Sequence, residues 1–439
     1  MNITVIGTGY VGLVTGTVFA ELGNDIFCVD IDKVKIVNLA KGINPIYEPG
    51  LDDLISRNLK ENRLHFTTDI DKAIKDCQII FIAVGTPSND NGSVNLNFVK
   101  SAAKNIGRAL QKTSSGEVTF RVIVNKSTVP IGTGDLVTDI VKKYFQGEFE
   151  VVSNPEFLRE GQAVNDCLKP DRIIIGCKND SDTAKKLLEV LYSPFDCPKL
   201  FTDIKTAEMI KYASNAYLAT SISFINSIAE LCEMVEADVS LVAKGMRLDK
   251  RIGQNAFLDA GPGYGGSCLP KDIKGLIDIA RRYKVSLPIL KAAEDINISA
   301  KKLVIKKVKK MIGSVKNKKI ALWGLAFKAN TDDVRDAPAL PLLDYLIKEK
   351  ADIFAFDPVA GINMQKLYPQ INLVKTPYKC AKDAELIVIM TGWGEFKAID
   401  LDKVKKLMKS PKIIDTRNMY GKEKMKEIGF EYINVGNVK

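Results

Sequence analysis

The chain opens on Ile3-Thr4-Val5-Ile6, a β-branched apolar run, and passes at once into Gly7-Thr8-Gly9-Tyr10-Val11-Gly12. A helical stretch follows to about Leu22, and Gly23-Asn24 stops it. Ile26-Phe27-Cys28-Val29 then makes a second strand that ends on Asp30. Glycines at this spacing between strand and helix constrain the fold more than any other feature. Gly7 allows a tight turn, Gly9 lets a ligand approach the backbone, and Gly12 lets helix and strand pack closely. The helix N-terminus offers unpaired N–H groups and positive potential to phosphates. An acid 23 residues after Gly7, at the end of the next strand, suits ribose hydroxyls. Together these residues predict a dinucleotide site. Asp30 would repel a 2′-phosphate and so favours NAD over NADP, although Lys33 and Lys35 could accommodate that phosphate.

Strand-sized runs recur at Ile79–Val84, Val122–Val124, Val151–Val152 and Ile173–Ile175, with helical segments between them. Such alternation predicts a parallel sheet covered on both faces. From about Asp203 to Ala237 there is no Pro or Gly, and apolar residues recur on more than one helical face. That stretch predicts one long helix, buried in part against another subunit. More helix follows from 239 to 300, interrupted by glycines at 261–266. The pattern restarts with Ile320–Gly324, and Phe354-Ala355-Phe356-Asp357 echoes Phe27-Cys28-Val29-Asp30. The second half lacks the glycine fingerprint, so no second dinucleotide is expected there. The expected fold class is α/β: two Rossmann-like parallel-sheet domains joined by a long central helix and a helical middle domain. The expected boundaries are 1–202, 203–300 and 301–439.

Composition narrows the chemistry. At 439 residues, with 46% hydrophobic and 26% charged residues, several cores are possible. No apolar run approaches the roughly 20 residues of a membrane span, and Met1 leads directly into a strand without a signal-peptide pattern. Eight cysteines without a CxxC pair suit a reducing cytoplasm rather than a disulfide scaffold or zinc site. The one histidine, His65, lies in the strand-like Leu64-His65-Phe66 and reads as structural, so no metal is expected. Lysine, carboxylate or cysteine must carry any catalysis. The net charge is +10, but the nine lysines of 301–319 read as the solvated face of an amphipathic helix rather than a nucleic-acid patch.

Four further segments carry chemistry. Gly261–Gly266 runs into Ser267-Cys268-Leu269-Pro270-Lys271-Asp272. Pro270 suits the first turn of a helix, which places Cys268 at its N-terminus with Lys271 nearby, and both favour a thiolate. Lys211 and Asn215 are one helical turn apart and together can hold an oxygen that gains negative charge. Ser153–Gly161 carries Glu156 and Glu160 just beyond a strand end, where open α/β sheets bind ligands. Gly85-Thr86-Pro87 and Ser127-Thr128-Val129-Pro130 also follow strands, and three such loops describe a crevice.

These segments, with Phe327-Lys328 and Asp415-Thr416-Arg417, give a whole-length resemblance to the UDP-glucose/GDP-mannose dehydrogenase family. Thr416 departs from the pattern, since members often have Gly before the Arg. The resemblance implies a four-electron oxidation of UDP-glucose to UDP-glucuronate, a precursor for polysaccharide biosynthesis, in two NAD+-dependent steps in the cytoplasm. It implies that Cys268 is the nucleophile, forming a thiohemiacetal and then a thioester. Lys211, Asn215 and Asp272 would stabilise oxyanions and organise water, and Glu156 would assist hydrolysis with Thr128 nearby. Cofactor contacts would come from Gly7, Gly9, Tyr10, Val11, Gly12, Asp30, Lys35, Thr86, Thr128, Glu160, Lys271 and Arg335. For the nucleotide sugar the resemblance implies Glu156, Phe157, Leu158, Lys211 and Asn215 on one side of the chain. It adds Phe257, Leu258, Asp259, Ala260, Gly261, Tyr264, Gly265, Lys328 and Arg417, with Arg251 reaching in from the partner of a homodimer. Lys169-Pro170-Asp171-Arg172-Ile173 resembles the UDP-glucose branch. GDP-mannose or UDP-acetamidosugar oxidation, a one-step hydroxyacid dehydrogenase and an NAD-binding sensor remain the alternatives.

Overall fold

The computed structural model describes residues 1–113, 120–178 and 181–437. The chain divides into two compact units, Met1–Ser214 with Lys274–Tyr283, and Asn215–Ile273 with Lys284–Lys439. The first is built on β1 (Asn2–Ile6), β2 (Asp25–Val29), β3 (Leu64–Thr67), β4 (Ile79–Ile82), β5 (Phe120–Asn125), β6 (Glu148–Ser153), β7 (Ile173–Gly176) and β8 (Lys199–Thr202). They form one eight-stranded sheet in the order β3-β2-β1-β4-β5-β6-β7-β8. Its pairs are parallel except β6 with β7, which meet antiparallel at Ser153 and Gly176. The expected all-parallel sheet is corrected there.

Strand β4 shows why its run of apolar residues is unbroken. Ile79 and Phe81 pack into the core on one face, and Ile80 and Ile82 into the core on the other. Alternate side chains point to opposite faces, so a strand covered by helices on both sides must be apolar throughout.

The second unit repeats the scheme with β9 (Lys319–Trp323), β10 (Asp352–Phe356), β11 (Asn372–Leu373), β12 (Leu386–Ile389), β13 (Lys412–Asp415) and β14 (Glu431–Asn434). They form a parallel sheet in the order β11-β10-β9-β12-β13-β14. Ile320 and Leu322 face one core, Ala321 and Trp323 the other.

The expected central helix spans Ile204–Val235, 32 residues. By length and composition alone it could cross a membrane. Two of its polar side chains bond to other segments of the chain. Ser223 Oγ donates to Ala293 O at 2.6 Å, and Asn226 Oδ1 accepts Gly261 N at 2.8 Å. The basic stretch 301–319 is not one solvated face. Its helix, Pro288–Ile312, ends before Gly313, and Lys307 is buried against Glu233 at 2.5 Å. His65 stacks on Phe27 with centroids 4.7 Å apart, and its Nε2 lies 2.9 Å from Asp25 Oδ1.

Candidate active site

The glycine turn of the first unit closes as its spacing predicts. Gly7 adopts φ +101° and donates to Val29 O at 2.7 Å. A Cβ on Gly7 would lie 2.6 Å from Ala83 O, and one on Gly12 only 1.9 Å from Gly7 O. Both positions therefore exclude a side chain. Gly9 differs, because its Cβ direction has no atom within 4 Å. The Tyr10–Glu21 helix starts immediately after it. Open space against the first turn of that helix fits a pyrophosphate resting on backbone N–H groups.

Asp30 stands at the end of β2. Its Oδ2 accepts Thr8 N at 2.9 Å, Thr8 Oγ1 at 2.7 Å and Lys35 Nζ at 2.8 Å. Partial burial alone would raise its pKa, but the Lys35 and Thr8 bonds outweigh that and hold it down at about 2. Asp30 is thus a carboxylate at any working pH, and Lys35 is committed to it. Tyr10 and Val11 are partly buried against the core, and the Tyr10 hydroxyl binds Glu48. Glu48 is 4% exposed and also accepts Gly161 N at 2.6 Å, which joins the glycine turn to the loop of Glu160. No local pattern marks Glu48, since its partner Gly161 lies 113 residues away.

The loops after β4 and β5 are bonded to each other. Thr86 Oγ1 donates to Thr128 O at 2.9 Å, and Ser127 Oγ to Val84 O at 2.7 Å. Beyond β6, Glu156 and Lys211 form an ion pair of 3.0 Å with both side chains 5% exposed. Glu156 also accepts Leu158 N at 2.5 Å. The Phe157 ring has Arg172 at 3.8 Å and Lys211 at 5.2 Å from its centroid. A buried carboxylate is costly unless paired, so this pair fixes where the Glu156 loop can sit.

The second unit holds the other cluster. The Leu269–Arg282 helix begins directly after Cys268, and Asp272 N donates to Cys268 O at 2.9 Å. Asp272 is 1% exposed, and its two oxygens accept Asn215 Nδ2 and Lys271 Nζ, each at 2.5 Å. The Lys271 ammonium is thus ion-paired with Asp272, close to the cysteine in sequence. Ser267 Oγ lies 3.5 Å from Cys268 Sγ. Ahead of the cysteine, Gly266 adopts φ +82° and donates to Arg335 O at 2.8 Å. A Cβ on Gly265 would strike Asp336 O at 2.3 Å. The Arg335 side chain is exposed and paired with Asp333 at 2.7 Å. Lys211 and Asn215 lie one turn apart on one helix, with the division between units falling at Ser214 and Asn215.

Arg417 follows β13. Its guanidinium donates to Met390 O at 2.8 Å and Phe327 O at 3.0 Å. Burial pushes its pKa down to about 10, with Asp415 pulling back up. A Cβ on Gly261 would come 3.7 Å from Arg417 Nη1, so Gly261 and Arg417 do come together, beside Phe327-Lys328. Thr416 fits without a glycine, because its hydroxyl donates to Ile389 O at 2.6 Å. Leu258, Ala260 and Tyr264 are buried, and Tyr264 N donates to Asn297 Oδ1 at 2.7 Å. Phe257 is exposed, and Asp259 pairs with Arg247 at 2.9 Å. Arg251, its side chain 89% exposed, touches only its neighbour Asp249 among the contacts described.

In the second sheet Gly324 mirrors Gly7, with φ +86° and a bond to Phe356 O at 2.8 Å. Asp357 sits where Asp30 does. Its Oδ2 already accepts Leu325 N at 2.6 Å, Ala326 N at 3.1 Å and Trp393 Nε1 at 3.1 Å. Such an acid has little left to offer a ribose.

Known proteins resemble the chain in three successive regions. Residues 1–196 match the NAD binding domain of the UDP-glucose/GDP-mannose dehydrogenase family, 205–299 its central domain and 321–422 its UDP binding domain. The chain is 47% identical to UDP-glucose 6-dehydrogenase TuaD of Bacillus subtilis, over 99% of this chain and 93% of that one. It is 44% identical to a UDP-glucose 6-dehydrogenase of Rhizobium meliloti, over 99% of both. A UDP-glucose dehydrogenase structure from Pyrobaculum islandicum superposes with a TM-score of 0.91 at 34% identity, covering 99% of this chain and 98% of the other. With an NAD site in its first sheet and matches along its whole length, the chain belongs to the UDP-glucose/GDP-mannose dehydrogenase family, enzymes that are NAD-dependent oxidoreductases.

Proposed function

We propose that the enzyme oxidises the primary alcohol of UDP-glucose to the carboxylate of UDP-glucuronate, both oxidations taking place on one chain. The observation that carries this reading is Cys268, set between close-packed glycines and a helix whose Asp272 is held by Asn215 and Lys271. A one-step dehydrogenase has no use for such a cysteine. The relatives named UDP-glucose 6-dehydrogenase support the choice of sugar nucleotide.

Gly7, Gly9, Gly12 and Asp30 would hold NAD+, which supplies the hydride acceptor for both oxidations. The chain's own residues do the rest. Lys211 and Asn215 steady the oxygen as the alcohol becomes a carbonyl. An aldehyde carbon cannot readily give up a second hydride, because it must first become tetrahedral. The Cys268 thiolate adds to it, forming a C–S bond, and the thiohemiacetal can be oxidised to a thioester. Glu156 takes a proton from water as water attacks that thioester, and the C–S bond breaks to return the thiol. The balance is one alcohol, two NAD+ and one water giving carboxylate, two NADH and three protons.

The active species on this reading is a homodimer. Tyr217, Phe224, Leu231 and Val235 are exposed on the central helix at spacings of seven, seven and four. That stripe is the seam of a helix that packs along a second copy. Arg251, exposed and paired with Asp249 among the described residues, would then complete the partner's site.

The test is NADH yield from the purified protein with UDP-glucose, UDP-N-acetyl sugars and GDP-mannose. UDP-glucose should be preferred and should give two NADH per molecule consumed. One NADH, with free aldehyde accumulating, would establish the one-step alternative.

A further inference from the structure

Behind the Glu156 loop lies a cavity of about 140 Å³. Its lining includes Lys126, Asn154, Glu156, Cys167, Arg172 and Tyr192. Lys126 immediately precedes Ser127 and Thr128, yet its side chain leaves that loop. Its Nζ donates to Asn154 Oδ1 at 2.8 Å and lies 5.9 Å from the centroid of the Tyr192 ring. The Tyr192 hydroxyl donates to the same Asn154 oxygen. Asn154 Nδ2 donates to Ile174 O at 2.7 Å, and its backbone N to Asn125 O at 2.9 Å. Asn154 is thus tied to β5 and β7 and to Tyr192, two residues before Glu156. An ammonium given an amide oxygen as its partner, in a cavity, is an expensive arrangement that structure alone does not need. Burial pushes Lys126 down to about 8, Cys167 and Glu156 pull it partly back, and Lys211 pushes it further down.

We propose that Lys126 is a positioning residue for hydrolysis: through Asn154 it fixes the loop that presents Glu156, and its charge stands beside the Glu156–Lys211 pair. The inference rests on the reading that Glu156 activates water against a thioester on Cys268. It adds that the hydrolytic half of the reaction has a support besides Lys211, one that takes no part in hydride transfer. Misplacing a reacting group by about an ångström can cost about 10²-fold, and here that cost should fall on one step.

The experiment is K126M, which keeps the volume and removes the charge. Rapid mixing of NAD+ and UDP-glucose should give a burst of two NADH per site, followed by turnover slowed about 10²-fold. The KM for UDP-glucose should change little, and the peptide containing Cys268 should carry a sugar thioester in the steady state. K126R should recover much of the rate. In K126A, ethylammonium should restore turnover and propanol should not, since a neutral filler repairs packing but not charge. Should K126M fail to fold, Y192F carries the test, with the same burst and a smaller slowing. Unchanged turnover in K126M, or loss of the burst along with the turnover, overturns the role given to Lys126. If the unmodified enzyme itself makes one NADH per UDP-glucose, the underlying mechanism fails and takes this inference with it. Two NADH from the unmodified enzyme, with K126M as fast, fails the inference alone.

Discussion

At the scale of single residues, Asp30 shows how one carboxylate can set cofactor choice by two routes. On the proposed reading it repels a 2′-phosphate directly, and it also holds Lys35 at 2.8 Å, so that this lysine is already committed when a phosphate arrives. Asp30→Ala removes the repulsion and releases the lysine. The preference for NAD+ over NADP+ in kcat/KM should narrow by at least about tenfold, or ~1.4 kcal/mol. An unchanged ratio would show that selectivity lies elsewhere. On the proposed mechanism Glu156 separates the two halves of the chemistry. Glu156→Gln keeps the shape but cannot take a proton, and a general base typically contributes about 10²- to 10⁴-fold to its own step. The variant should deliver two NADH per site and then stall with a thioester on Cys268, visible as added mass on that peptide. It also removes the charge beside buried Lys211, so a lowered melting temperature is expected as well. Normal turnover in Glu156→Gln would take the role of base away from this residue. The placement of the glycines, Asp30, Cys268 and the Lys211–Asn215 pair was legible because it is local: spacing along one strand, turn or helix is enough. Glu48 and Lys126 were not. Their meaning comes from partners 113 and 28 residues away, and no local pattern encodes such distant pairing.

At the scale of elements, the central helix is more than a spacer. Its first turns carry Glu208, 2% exposed, whose oxygens accept Gly132 N at 2.6 Å and Gly134 N at 2.9 Å. The Thr133–Lys142 helix starts on Gly132, which has no side chain to cap it, so Glu208 from another helix supplies the cap. The helices can approach this closely because residue 134 is glycine; a Cβ there would lie 2.5 Å from Ile204 Cγ2. Burial raises Glu208 from 4.5 to about 7, against the opposing pull of the two N–H bonds. A carboxyl group raised in the folded state binds its proton more tightly there than when unfolded. Its contribution to stability is therefore full below about pH 4.5 and is lost as pH rises through about 7. Glu208→Gln has no such titration. Chemical denaturation between pH 4.5 and 8 should show the unmodified protein losing up to about 3 kcal/mol relative to the variant. Parallel curves would contradict the assignment. The strand–helix alternation and the helix of 204–235 could be read because apolar periodicity and missing glycines reveal them directly. The reversal of β7 against β6 could not, since both directions require the same buried, apolar strand.

At the scale of the whole molecule, the unsolved surface is the outer face of that helix. Tyr217 is 70% exposed, Leu231 57% and Met234 80%, a run of large apolar side chains that an isolated chain would leave in water. Covering each such side chain stabilises by about 1.5–3 kcal/mol, so a stripe repeated on two copies is a strong drive to associate. The seven-residue repeat matches a helix that packs along another, and self-complementary faces of this kind are the usual basis of twofold dimers. The double change Phe224→Asp with Leu231→Asp places charge in the middle of the seam. Light scattering should then report a monomer, while far-UV circular dichroism keeps its helical signal because both positions already face outward. Turnover should fall with dimer content and should recover in part as protein concentration rises. Arg251→Ala makes the complementary case: the dimer should persist, and the KM for UDP-glucose should rise because the partner's site loses a cation. An unmodified chain that scatters as a monomer at full activity would remove both the seam and the shared site. A charged-seam variant that stays dimeric would move the interface to another face of the molecule.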